Sequence, residues 1–188
     1  MIRESERVDW EELYILESRL GKVVFLIVAT LIFFSSLGII IFSLTMEARL
    51  IPSGSMIPTI KVNDQVLVNK TAFWSSPPQR GDIIIFDPPF KAKGYYIKRV
   101  IGLPGELVEI KGGMVYINGT LLLEPYIMDP PKYQYGPHKV PTNSLFVLGD
   151  NRNASYDSHL WKAWLTIDKV KGKAVYRILP QERMGPIQ

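Results

Sequence analysis

The stretch RLIPSGSMIPTI (49–60) sets two serines around a glycine, Ser53-Gly54-Ser55, with a proline on either side. Gly54 opens backbone geometries closed to other residues and lets another chain approach closely. Pro58 restricts Ile57 toward extended conformations. Together they make a mount for an exposed hydroxyl. A serine hydroxyl is a weak nucleophile until a base removes its proton. The chemistry open to this turn therefore depends on which basic side chain the rest of the sequence supplies.

The candidates are few. His138 lies in a Pro/Gly-rich segment and reads as solvated. His159 ends GDNRNASYDSH (149–159), close to Asp157, so a Ser-His-Asp arrangement is open. The third candidate is Lys98 in YYIKRV. In a strand, Tyr96 and Val100 share its face, while Ile97 and Ile101 share the face of Arg99. Burial among such residues disfavours the ammonium and lowers its pKa from ~10.4, leaving a neutral amine as a base. Arg99 cannot act so, because a guanidinium stays protonated. The competing reading of Lys98 is an edge-strand lysine with its amine in water. The polar run GDNRNAS directly follows an apolar strand and suits a hydrogen-bonded turn that fixes its neighbours. Ser55 has no Gly-x-Ser-x-Gly elbow around it, and no His-Glu-x-x-His zinc motif is present. The chain has no cysteine, which excludes disulfides, thiolate metal sites and a cysteine nucleophile.

Elements must position these groups. Val23–Met46 is an uncharged run of 24 residues. As a helix it reaches roughly 36 Å, more than the ~30 Å hydrocarbon core of a bilayer. Arg19 and Lys22 precede it and Arg49 follows, a bias that favours a cytoplasmic N-terminus. The expected organisation is a cytoplasmic segment (1–22), a transmembrane helix (23–46) and an extracytoplasmic β-rich domain (47–188). Seven short apolar runs read as strands, at 65–70, 82–87, 95–102, 106–110, 114–117, 145–150 and 174–179. Asn118-Gly119 signals a hairpin. Residues 73–81 and 129–141 read as loops. The fold class expected is mainly β, antiparallel, behind one membrane helix. Ser55 follows Met46 by nine residues, which keeps it within roughly 30 Å of the membrane surface. Phe73, Trp74, Trp161 and Trp164 fit either the head-group layer or the core. Residues 1–22 carry four basic and six acidic side chains, and the remainder 18 and 12. The body is thus moderately basic, which suits anionic lipid or nucleic acid and is also common in soluble domains.

The order of these pieces is specific. A membrane helix, PSGSMIPT, GDIIIF, YYIKRVIGLPGE and GDNRNASYDSH follow one another. This order resembles the bacterial type I signal peptidases (leader peptidases), the Ser-Lys dyad serine peptidases, over roughly residues 20 to 180. The resemblance implies a β-sheet catalytic domain outside the cytoplasm that removes signal peptides from exported preproteins. It implies Ser55 as nucleophile, Lys98 as general base, and Ser53 with the Ser55 amide as oxyanion donors. Ser155 is then expected to orient the amine, Asp157 to brace the site, and Arg152 to support it. Shallow apolar pockets for small residues at −1 and −3 correspond to Ile51, Pro52, Met56, Ile60, Val66, Tyr96 and Ile97. No metal or cofactor is expected. The implied partners are signal peptides, membrane lipid and the protein export machinery, with no nucleic acid. The membrane is the plasma (inner) membrane or a thylakoid membrane. His159 stands where some members carry arginine, and Lys162 where glycine is frequent. The stretch AWLTIDKV departs from the common pattern. Two other classes stay open on residues alone. One is a membrane-anchored, non-catalytic β-domain that binds peptides or partner proteins. The other is a self-cleaving Ser-Lys repressor, which the membrane helix argues against.

Overall fold

A computed structural model describes residues 10–187, with side chains from Arg19 onward. The chain divides into a helical unit and a β-rich unit at Leu44/Thr45.

The helical unit is α1, Trp10–Thr45, 36 residues long. Within it, Arg19–Thr45 is strongly apolar, and its most apolar 18 residues are not buried within the molecule. Its apolar side chains point outward all round, Phe25 and Ile39 among them. Such a surface needs a lipid environment. Among the described residues this is the one helix long and apolar enough to span a bilayer. The chain is a single-pass membrane protein.

The β-rich unit is built on antiparallel pairing throughout. Its strands are β1 (Met46–Leu50), β2 (Gln65–Asn69), β3 (Ile83–Phe86), β4 (Tyr96–Gly102), β5 (Leu107–Lys111), β6 (Met114–Ile117), β7 (Thr120–Leu121), β8 (Tyr135–Lys139), β9 (Ser144–Leu148), β10 (Leu165–Thr166), β11 (Val170–Leu179) and β12 (Gly185–Pro186). The larger sheet runs β1-β2-β11-β3-β4-β9-β10, with β12 added beside β11. The smaller runs β7-β6-β5-β8. Register shifts interrupt β11 against β2 and β3, and bulges of this kind bend and twist a strand. The sheet curls accordingly.

Strand β3 shows why the interior forms where it does. Ile83 and Ile85 enter one apolar cluster with Ile51, Met56, Ile60, Val66 and Ile97. Ile84 and Phe86 enter another with Val100, Val147 and Trp161. Both faces are buried, so the strand reads as a continuous apolar run. A third cluster joins Ile101, Phe146 and Leu148 to the smaller sheet through Val108 and Ile110.

The sequence expectations need correction at several points. The helix expected at 23–46 begins at Trp10 and ends at Thr45, and Met46 opens β1 opposite Asn69. Residues 129–141 are not all loop, because Tyr135–Lys139 pairs with β5. Pro137 sits on the outer strand of the smaller sheet, where no ladder donor is needed. The strand is largely exposed and so lacks the alternation that marks a buried edge. MEARL forms β1 against β2 although no strand was expected there. Strand β11 begins at Val170 rather than 174. Gly172 disguises that start: a Cβ there would lie 2.6 Å from the Asn69 carbonyl oxygen, so only glycine permits the approach. The Asn118-Gly119 hairpin forms between β6 and β7, with both residues at positive φ. Phe73, Trp161 and Trp164 pack against apolar clusters, while Trp74 is 83% exposed.

Candidate active site

Buried anchors hold the Ser53-Gly54-Ser55 turn. Ile51, Met56 and Ile60 sink into one apolar cluster. The Ile60 amide donates to the Met56 carbonyl at 2.8 Å, and the Ile51 amide to that of Asp64 at 2.8 Å. The second polar stretch clamps the turn from the opposite side. The Asn151 amide donates to the Ser55 carbonyl at 3.0 Å, and the Asn151 side chain to the Gly54 carbonyl at 3.1 Å. Gly149 makes the contact sterically feasible. A Cβ at that position would sit 2.4 Å from the Ser55 carbonyl oxygen and 2.3 Å from Ser155 Oγ.

Lys98 reaches this turn from β4. Its Nζ donates to Ser55 Oγ at 2.8 Å and to the Ile97 carbonyl at 2.9 Å. The amine also lies 5.7 Å from the Tyr96 ring centroid. Lys98 is 4% exposed and Ser55 7%. Burial lowers the Lys98 pKa to about 8, against an opposing pull from Asp157 and a weaker one from Asp150. Ser53 Oγ lies 3.4 Å from Ser55 Oγ. The geometry therefore joins a hydroxyl to an amine that is partly neutral at mild pH. A proton can pass between them directly.

Arg99, the next residue, is treated differently. Its guanidinium grips Asp150 in a two-pronged ion pair at 2.8 and 2.7 Å. Asp150 also accepts from Thr59 at 2.5 Å, tying the Ser55 segment to the same carboxylate. Arg99 lies over the Tyr126 ring at 3.9 Å. Tyr126 donates to Glu124, and Glu124 grips Arg152 with two contacts of 2.6 Å. Burial and the Glu124 carboxylate push the Tyr126 phenol pKa up, so it remains a donor. Arg152 closes the loop by donating to the Gly149 carbonyl at 3.1 Å. Asp150, Glu124, Tyr126 and the pairing role of Arg99 escaped the sequence reading. Glu124 is 28 positions from Arg152, and no local pattern announces such a partner.

Other expected site residues lie around this centre. Asp157 is fully buried and accepts from the Gly149 amide at 2.9 Å. Its other oxygen lies 2.6 Å from His159 Nδ1. His159 stacks on Tyr133, with centroids 3.8 Å apart. Among the described residues no hydrogen bond joins His159 to Ser55. His138 is exposed on β8. Ser155 Oγ is buried beside Gly149 and makes no hydrogen bond among the described residues, to Lys98 or to anything else.

A cleft of about 780 Å³ opens over the pair. Ile51, Pro52, Tyr96 and Ile97 line it, with Ile85, Ala154 and Tyr156, which the sequence reading missed. Met56, Ile60 and Val66 do not line it and belong to the core cluster beneath. Strand β4 is paired with β3 from Tyr96 to Arg99, but with β9 only from Arg99 onward. The β9-side edge of Tyr96–Lys98 is thus unpaired in the sheet, beside the cleft.

Residues 20–179 match the family model described as "Signal peptidase, peptidase S26". The chain belongs to this signal peptidase family. It is 51% identical to a signal peptidase I of Leptolyngbya laminosa over 148 residues, covering 75% of this chain and 72% of that protein. It is 48% identical to a probable signal peptidase I-2 of Synechocystis sp. over 144 residues, covering 74% of this chain and 66% of that protein. A crystal structure of a signal peptidase I from Enterococcus faecalis V583 is also similar. It is 35% identical, covers 51% of this chain and 95% of that one, and has a TM-score of 0.42. At the level of the family, the chain is a signal-peptidase-I-like serine endopeptidase and thus a hydrolase.

Proposed function

We propose that this signal peptidase cleaves N-terminal signal peptides from exported preproteins through a Ser55–Lys98 dyad and an acyl-enzyme. The observation that carries the reading is the 2.8 Å hydrogen bond between Ser55 Oγ and the buried Lys98 amine at the cleft. The neutral amine takes the Ser55 proton as Oγ bonds to the scissile carbonyl carbon. Ser53 Oγ and the Ser55 amide receive the oxyanion. The tetrahedral species collapses, the C–N bond breaks, and the Lys98 ammonium protonates the leaving amine. Lys98 then takes a proton from water as its oxygen bonds to the ester carbon, and returns it to Ser55 Oγ as the C–Oγ bond breaks, which releases the acid and restores both residues. Asp157 and Arg152 hold the Gly149 turn against the Ser55 backbone, and Ser155, whose hydroxyl is unbonded beside Gly149, turns it to the Lys98 amine to orient that amine during turnover.

The substrate binds as an extended segment along the free edge of Tyr96–Ile97, by strand addition. Small residues at −1 and −3 face the pockets formed by Ile51, Pro52, Tyr96 and Ile97, while Met56, Ile60 and Val66 support these walls from the core. The segment before residue 23 is cytoplasmic, the helix from 23 to its end at Thr45 spans the membrane, and the β-rich unit works on the far side, beside the export machinery. The test is processing of a purified preprotein by the full chain in detergent. Wild type should cleave at the signal-peptide junction, and Ser55→Ala should lose at least a thousandfold while its β-rich unit keeps its thermal transition. Equal turnover by both would remove Ser55 from the chemistry, and no cleavage by wild type would leave a peptide-binding domain as the better reading.

A further inference from the structure

Two walls bound the cleft. One runs from Arg49 to Ser55 and the other from Lys93 to Lys98. At one end the walls are joined by the Lys98–Ser55 hydrogen bond. At the other, the Arg49 guanidinium lies 4.4 Å from the centroid of the Tyr95 ring. Arg49 and Lys93 both line this second end, and no carboxylate lines the cleft anywhere. The nearest recorded counter-ion is Glu47, which pairs with Arg49 at 2.7 Å from outside the lining, on half-exposed side chains. The open end of the cleft is therefore cationic, and its one anionic partner is exchangeable.

We infer that Arg49 and Lys93 select substrates with an acidic side chain four to six residues before the cleaved bond. This rests on the proposed reading, in which the −1 and −3 pockets lie between the dyad and the Arg49–Tyr95 end. Tyr95 precedes Lys98 by three residues and Lys93 precedes it by five. At no more than ~3.6 Å per residue, Tyr95 lies within roughly 11 Å of Lys98 and Lys93 within roughly 18 Å, the bend at Gly94 shortening the second span. An extended substrate reaches that distance beyond −3. A carboxylate there takes over the role of Glu47 on Arg49 and adds contact with Lys93. A lysine at the same place meets two like charges.

The groups are exposed, so the effect is modest and screened by salt. The test uses the full chain in uncharged detergent micelles. Peptides with Ala at −1 and −3 carry Glu, Gln or Lys in turn at −4, −5 and −6. At low salt, kcat/KM should fall from Glu to Gln to Lys, with about three- to tenfold between Glu and Lys at the best position, mainly through KM. The ratio should shrink at 0.5 M NaCl, collapse toward one in Arg49→Gln/Lys93→Gln, and widen in Glu47→Gln. A ratio near one in wild type, or one that survives the double substitution, overturns the inference. So does a charge effect found only after the cleaved bond. So does a double variant that loses binding to anionic vesicles while peptide selectivity is unchanged, which would assign the two cations to lipid head groups. Ser55-dependent cleavage of the Gln peptide without charge discrimination leaves the dyad standing and rejects this inference alone. No Ser55-dependent cleavage of any peptide rejects the dyad reading itself.

Discussion

The two faces of β4 each bury one cation and treat it in opposite ways. Arg99 meets a carboxylate head-on, with both prongs on Asp150. Lys98 meets a hydroxyl and a carbonyl and makes no ion pair. A buried ion pair keeps its charges because each offsets the desolvation of the other. A buried amine without such a partner loses its proton more readily. The contrast separates holding from reacting along two consecutive residues: Arg99 fixes the Ser55 segment through Asp150 and Thr59, and Lys98 is left able to exchange a proton.

The sharpest way to break the contrast is to make Lys98 like its neighbour. Lys98→Arg keeps a similar reach and charge but cannot deprotonate. Its kcat/KM should fall at least a thousandfold, as with other lost bases acting on a nucleophile. The wild-type rate should rise with pH through an apparent pKa of about 8, as the amine loses its proton. An active Lys98→Arg enzyme with the wild-type profile would eliminate Lys98 as the base.

Next in size is the loss of Arg99. Arg99→Met leaves Asp150 buried with only Thr59, and breaking a buried pair in this way costs about 3–5 kcal/mol. Urea unfolding of the β-rich unit measures that loss. The same variant should move the rate profile to higher pH, because Asp150 already pulls the Lys98 pKa upward and now does so without a counter-charge. A destabilised variant with an unshifted profile would confine Arg99 to holding the fold.

These residues also show how far the sequence could be read. Lys98 was legible because a lysine inside YYIKRVIG breaks an apolar pattern, and the Ser55 turn because two prolines frame it. The hairpin at Asn118-Gly119 and the strands on either side of Lys98 follow from short-range patterns of the same kind. Strand β8 was not legible, since an exposed outer strand carrying Gly136 and Pro137 looks like a turn. Glu124 and Asp150 were missed for another reason. A carboxylate gives no sign in sequence of which distant arginine it will meet. Asp157 and Gly149 stand between these cases: the polar density of GDNRNASYDSH announced a built turn, but not that Gly149 lies against Ser55.

The stability of the fold should carry the imprint of the unpaired amine. Lys98 has a lowered pKa when folded, about 8 against 10.5. Between these values the unfolded chain binds more protons, so stability rises as pH increases through this window. Below about pH 8 the full cost of burying the ammonium is present, of order 3 kcal/mol. Lys98→Met has no such group. Its stability advantage over wild type should be largest near pH 7 and shrink by about 3 kcal/mol toward pH 10.5. Comparing urea midpoints of the two proteins across that range isolates Lys98, because the other titrating groups are common to both. A difference independent of pH would mean that the amine is not desolvated.

The smallest expected effect belongs to His159, and it decides between imidazole and amine as the base. His159 faces Asp157 and lies flat on Tyr133, while the hydrogen bond to Ser55 comes from Lys98. Asp157 keeps a second anchor in the Gly149 amide, so it is not set adrift when the imidazole goes. His159→Phe retains the stack on Tyr133 and removes only the contact with Asp157. Its kcat/KM should therefore fall severalfold, in line with losing one hydrogen bond of about 1 kcal/mol, and the rising limb of its pH profile should still be set by Lys98. Asp157 pulls the Lys98 pKa upward, so any displacement of that limb reports how firmly the carboxylate is held. If His159→Phe were as inactive as Ser55→Ala with its thermal transition intact, imidazole rather than amine would be the base, and the difference drawn between Lys98 and Arg99 would concern stability alone.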